Sequence, residues 1–197
     1  MQLAKQQTLN LAKAAQLITL HFGTNWGMIE KSGFLGMGKS KQDVDLDASA
    51  IMLNDMGATV GTPVYFGNLR SVGINHSGDD LTGDAEADNS DNEIITVDLS
   101  KIPANVESVI FTLNSFSGQK FDDIPYAAIR VYEGQPNRPT EVKATFNLAN
   151  DASFKGATSI VVGKLYRSNG GWDFKAIGDA SGHTRLSGLI QESKKYA

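Results

Sequence analysis

Between Gly78 and Glu93 the chain carries seven carboxylates, Asp79, Asp80, Asp84, Glu86, Asp88, Asp91 and Glu93, and no Lys, Arg or His. Two like charges about 4 Å apart repel by roughly 1 kcal/mol in water, and by more where water is excluded. Such a segment either stays solvated and mobile or folds around a cation. Its other polar side chains are Thr, Ser and Asn, which also offer oxygen. Hard oxygen ligands on a turn-rich backbone are what calcium selects, so Asp79, Asp80, Asp84, Asp88, Asp91 and Glu93 are candidate ligands. A second acidic feature is Asp43-Val44-Asp45-Leu46-Asp47, in which strand alternation sets three carboxylates on one face and Val44 and Leu46 on the other. That face is either a solvated edge or a carboxylate floor for the loop; spacing alone does not bring the two segments together. Neither is an EF-hand. Counting from Asp43, Ala48 stands where the loop needs Gly and Asn54 where it needs Glu; counting from Asp84, those places hold Asn89 and Ile95.

Other motifs carry less chemistry. Gly33-Phe34-Leu35-Gly36-Met37-Gly38-Lys39-Ser40 matches the phosphate-binding loop pattern letter for letter. That loop needs a buried strand before it and a helix after it, whose free amides hold the phosphates. Trp26 to Ser32 has no strand-like apolar run, and the residues after Ser40 alternate with period two. The segment therefore reads as a flexible Gly-rich loop, with nucleotide binding as the alternative. His21, His76 and His183 lie far apart, and the chain has neither a His-Glu-x-x-His pair nor a Gly-x-Ser-x-Gly elbow. Asp79 and Asp80 could serve acid–base chemistry as an uncharacterised metal-dependent hydrolase would, but a hydrolytic carboxylate pair works as separated groups in a cleft. Trp26, Trp172 and Phe174 read as core, and Arg130, between apolar strand neighbours, reads as half of a structural salt bridge.

The elements that must position these groups are mostly strands. Period-two alternation places Ile95, Val97 and Leu99 on one face and Val109, Phe111 and Leu113 on another. Strands are expected at Leu17–Phe22, Val44–Leu53, Pro63–Phe66, Val142–Asn147, Ser159–Tyr166 and Trp172–Ile177, with Tyr126 to Tyr132 as a further one. Turn sequences such as Ser-Asn-Gly-Gly and Gly-Gln-Pro-Asn-Arg-Pro separate them, and all five prolines fall in or beside these breaks. Leu186, Leu189 and Ile190 form a helical stripe near the C-terminus, while Leu9 to Gln16 is ambiguous. Many short strands with tight turns predict an all-β fold, a β-sandwich of two largely antiparallel sheets with a short C-terminal helix, as one domain over residues 1–197. Net charge is −4, from 22 acidic and 18 basic residues, which argues against a nucleic-acid surface. The absence of cysteine excludes disulfides, thiolate metal sites and a Cys nucleophile. No run approaches the length of a membrane span, and Met1 to Phe22 shows no signal-peptide pattern, so a cytoplasmic setting is expected.

At Asp45-Leu46-Asp47-Ala48-Ser49-Ala50, His76-Ser77-Gly78-Asp79-Asp80-Leu81-Thr82-Gly83-Asp84 and Asp91-Asn92-Glu93-Ile94-Ile95-Thr96-Val97-Asp98-Leu99, the chain resembles the TerD family of tellurium-resistance and general stress proteins. The resemblance continues through Ala128-Ile129-Arg130-Val131, Gly163-Lys164-Leu165-Tyr166-Arg167 and Gly171-Trp172-Asp173-Phe174. His21-Phe22-Gly23-Thr24-Asn25-Trp26-Gly27 and Leu113-Asn114-Ser115 look nearest the TerX-like branch. The resemblance implies a β-sandwich that binds one or two calcium ions through its acidic loop and has no established enzymatic activity. It also implies a role in resistance to tellurite, phage or chemical stress, beside other Ter proteins at the inner face of the membrane. The ligands it implies are Asp45, Asp47, Asp79, Asp80, Asp84, Asp91 and Glu93, with Asn68 after the third strand. Two departures stand out: the family's Trp-Asp is Trp26-Gly27 here, and the usually Gly-rich loop interior reads Ala85-Glu86-Ala87-Asp88-Asn89-Ser90. Alanine does not take positive φ as cheaply as glycine, so a turn built on such a conformation is in question.

Overall fold

The computed structural model describes residues 7–11, 19–32, 38–88 and 90–197. Its strands are β1 (Thr8–Asn10), β2 (Thr19–Trp26), β3 (Ile29–Ser32), β4 (Lys39–Gln42), β5 (Leu46–Leu53), β6 (Arg70–Ser71) and β7 (Ile74–His76). They continue with β8 (Glu93–Asp98), β9 (Ser108–Ser115), β10 (Ala127–Gln135), β11 (Arg138–Asn147), β12 (Ser159–Ser168) and β13 (Gly171–Ser181), followed by one helix, α1 (Leu186–Ser193). One sheet has the order β1-β13-β12-β9-β5 and the other β11-β10-β2-β8-β7-β6, with every pairing in them antiparallel.

The two sheets face each other across one apolar core, the expected all-β sandwich. Phe22 of β2 stacks on Phe111 of β9 with ring centroids 3.5 Å apart, and tilts against Phe174 of β13 at 5.5 Å. Trp26, Trp172 and Phe174 are buried in this core, as their composition suggested. The alternation of β9 is real on both faces. Val109, Phe111 and Leu113 enter the core. Ile110 lies on the opposite face with Ile51, Leu53, Val161 and Ile177, under Leu186, Ile190 and Tyr196 of the C-terminal segment. The helical stripe thus closes the outer face of the five-stranded sheet, and each large aliphatic side chain it covers gains on the order of 1.5–3 kcal/mol from leaving water.

Some expected boundaries shift. The strand expected from Val44 starts at Leu46, so Asp43 is exposed in the approach to β5. Pro63–Phe66 forms no strand of its own; it touches β5 only through the bridge of Val64 to Ala50, because Tyr65 turns back to bridge Asn68. Leu9 lies in β1, while the rest of the ambiguous Leu9–Gln16 segment from residue 12 onward lies outside the described residues. Residues 33–37 of the Gly-rich loop also lie outside them. Lys39 and Ser40 belong to β4, whose pairing with β3 sets a strand where a phosphate-binding loop needs a helix. Among the described residues no helix is long and apolar enough to cross a membrane.

Candidate metal centre

The acidic loop leaves β7 at His76 and enters β8 at Glu93, beside the start of β5. Thr82 accepts a backbone hydrogen bond from Val44 (2.9 Å), and Asp84 forms a bridge with Gly27 just after β2. Trp26 reinforces the junction: its buried indole Nε1 donates to the Val44 carbonyl at 2.7 Å. Gly83 makes this approach possible. Its φ of +75° suits glycine, and an added Cβ would lie 2.6 Å from Trp26 Cδ1. Gly27, where the wider family carries Asp, lies under the Tyr126 ring; a Cβ there would come within 2.5 Å of it. The Ala85-Glu86-Ala87 stretch raises no backbone conflict, since Asn137 and Asn169 are the non-glycine residues at positive φ among those described.

This folding brings the two acidic segments together. Asp45 just before β5, Asp47 on β5 and Asp79 on the loop present carboxylate oxygens that all lie within 4.8 Å of one another. Burial pushes the Asp47 carboxyl up to about 7, and the charges of Asp45 and Glu93 push further against a bond from Asn114. Burial also raises Asp45 to about 6, with the charges of Asp79, Glu93 and Asp80 adding to it. Asp45 Oδ1 is buried with no hydrogen-bond partner. A trio of carboxylates, one oxygen of it orphaned, is an arrangement that lacks a positive charge, and its hard donors fit a divalent cation such as calcium.

Glu93 lies beside this trio with its side chain wholly buried. Its Oε2 accepts from the Ala48 amide at 2.8 Å and stands 3.3 Å from His76 Nε2. Burial raises its pKa, against the pull of His76 and of the Ala48 and Asp80 amides. The His76 tautomer follows from geometry: Nδ1 accepts from the Gly78 amide at 3.1 Å, so Nε2 carries the proton toward Glu93.

The other candidates have structural work. Asp80 Oδ1 accepts from the amides of Thr82 and Gly83 and from the Thr82 hydroxyl, at 2.9 to 3.1 Å, while Oδ2 accepts from Asn92 at 3.1 Å. Burial raises this carboxyl, but those bonds outweigh it and hold its pKa below the usual value. Asp84 accepts from Asn92 (2.9 Å), Asn25 (3.2 Å) and Tyr126 (3.3 Å). Asp88 is exposed and caps Ser90 at 2.6 Å. Asp91 is buried away from the trio: Arg130 Nε donates to its Oδ1 at 2.7 Å and the Tyr132 hydroxyl to its Oδ2 at 3.0 Å, the structural salt bridge expected for Arg130. Asn68 donates to the Pro63 carbonyl at 2.8 Å and stands in a turn. Of the nine candidates, Asp45, Asp47 and Asp79 form the trio, with Glu93 and Asp80 bordering it. Asn114, Asn92, His76 and Trp26 hold the site together. Sequence reasoning passed over all four as supports, and only the place of Asn92 inside the acidic run hinted at a role.

These features define a β-sandwich with a carboxylate cradle at the junction of its two sheets. A TerD domain model matches residues 1–192, and the chain belongs to the TerD family. It is 39% identical to the tellurium resistance protein TerZ of Serratia marcescens, over 90% of this chain and 89% of that one. The stress response protein SCP2 of Bacillus subtilis is 35% identical over 95% and 96%. TerX of Serratia marcescens is 31% identical over 91% and 92%, so the likeness extends across several branches. The crystal structure of a homologue of the telluride resistance protein TerD from Streptomyces coelicolor A3(2) superposes with a TM-score of 0.70 at 19% identity, covering 90% of this chain and 98% of the other, a likeness of fold.

Proposed function

We propose that this chain is a calcium-binding, non-enzymatic stress-response protein acting in tellurite, phage or chemical-stress resistance. The observation that carries the reading is the convergence of Asp45, Asp47 and Asp79, with a buried, unpartnered oxygen on Asp45. Calcium would be held by these three residues, with Glu93 beside them, and would supply positive charge next to the Asp45 and Asp47 carboxyls, whose ionised forms burial and their neighbours disfavour. The relatives' names, tellurium resistance and stress response, support the physiological side. The resemblance adds a cytoplasmic setting and Ter partners at the inner membrane face. The nucleotide reading loses support from the strand at Lys39, whose ammonium group pairs with Glu30 at 2.9 Å. The test is calorimetric titration of metal-stripped protein with calcium and, separately, magnesium. Saturable binding with calcium tighter than magnesium is expected, since magnesium sheds water reluctantly and demands strict octahedral geometry. No heat from calcium, or equal affinity for both ions, refutes it.

A further inference from the structure

Beside the carboxylate trio, on the outer face of the five-stranded sheet, an open cleft of about 220 Å³ separates the start of α1 from the start of β5. One wall is aromatic, made by Tyr65, Phe66 and Phe116. Phe116 is 57% exposed and meets Phe66 edge-on at 6.0 Å. Exposed paired rings at a cleft mouth favour a ligand with a flat or aliphatic body.

The opposite wall favours an anionic head. Arg185 lines the cleft and is exposed, and its guanidinium forms no ion pair or hydrogen bond among the described residues. It is also the N-cap of α1, where it supplies no capping acceptor, and the amides of Leu186 and Ser187 find no acceptor among the described residues. Free amides and the positive end of the helix dipole thus stand beside a guanidinium. An independent sign comes from the floor. Ser49 is 1% exposed and lines the cleft, yet its hydroxyl has no partner among the described residues. Its cross-strand neighbour Thr112 also keeps a buried, unpartnered hydroxyl. Buried hydroxyls are normally satisfied, and an acceptor atom reaching the cleft floor would satisfy Ser49. Asp47 shares this floor and belongs to the carboxylate trio as well. Without a cation its charge repels an anion in the cleft; with one, the repulsion falls.

We propose that this cleft binds a small organic anion, a carboxylate or phosphate monoester on an apolar body, and that a cation at Asp47 raises its affinity. The second half rests on the calcium reading; the first does not. Phenyl phosphate is the probe, followed by ligand-observed NMR and calorimetry on the full chain, with excess calcium and with chelator. Inorganic phosphate and phenol test the head and the body separately. Phenyl phosphate is expected to bind severalfold more tightly with calcium, and more tightly than either fragment. Arg185→Gln should weaken it by about tenfold or more while leaving the calcium titration unchanged, and the surface change Phe116→Ser should weaken it too. Absence of binding at millimolar probe, or binding indifferent to Arg185→Gln, overturns the site. Equal affinity with and without calcium overturns the coupling. A calcium titration without heat refutes the metal reading, while Arg185-dependent binding in chelator would still support the cleft.

Discussion

Asp47→Asn should stabilise the protein in chelator and weaken calcium binding at the same time. The folded carboxyl of Asp47 titrates at about 7 instead of 3.8. At 1.36 kcal/mol per pH unit that displacement corresponds to roughly 4 kcal/mol spent in keeping the side chain ionised above pH 7. Burial is the largest cause of the shift, and the amide that replaces the carboxylate is itself costly to bury, so about half, ~2 kcal/mol, is what the neutral side chain recovers. For a chain of this size that raises Tm by roughly 4–8 °C in chelator at pH 8. Asn keeps the shape, and its oxygen can accept the bond now donated by Asn114 at 2.9 Å. The pH dependence has a definite sign. Between about 4 and 7 the folded state holds a proton that the unfolded state has lost, so wild-type stability in chelator falls as pH rises through that window. The advantage of the variant should therefore shrink on acidification and disappear near pH 4. In calcium the order changes, because one of three trio carboxylates is gone. Affinity should drop tenfold or more, about 1.4 kcal/mol, and most of the gain in Tm is lost. The assay is thermal unfolding by circular dichroism at pH 4, 6 and 8, in chelator and in calcium. A lower Tm for the variant in chelator at pH 8, or an undiminished calcium shift, refutes the reasoning.

Calcium itself should raise the wild-type Tm, by the equivalent of about 2.7 kcal/mol at one hundred times Kd, and an unchanged Tm between calcium and chelator contradicts the site. Asp80→Asn should loosen the loop and weaken calcium binding indirectly, since the Thr82 and Gly83 amides lose a charged acceptor; Glu86→Gln, on an exposed side chain, should change affinity less than about twofold, which parallel titrations will show. Arg130→Ala strands the buried Asp91 carboxylate and should cost about 3–5 kcal/mol in urea unfolding, with calcium affinity little changed because Asp91 is not in the trio. Trp26→Phe removes the indole bond to Val44 and should cost about 1–3 kcal/mol, with faster amide exchange at Thr82 to Asp84 as its local signature.

The family, the sandwich and the acidic character of the site were legible in the chain because they rest on local information. Period-two alternation reports which strand faces are buried, as at Val109, Phe111 and Leu113, and the stripe of Leu186, Leu189 and Ile190 reports a covering helix. Seven carboxylates in one loop report an electrostatic problem whatever the fold. The division of labour among them was not legible. Asp79, Asp80 and Asp91 look alike in sequence, yet one joins the trio, one is saturated by its own turn and one is neutralised by Arg130 of a distant strand. What a carboxylate does depends on which donors and charges surround it, and those arrive from β5, β9 and β10, up to dozens of residues away in the chain. The meeting of Asp47 with Asp79, the support of Asn114 and the cleft beneath Arg185 follow from sheet packing and strand register, so the tertiary structure alone decided them.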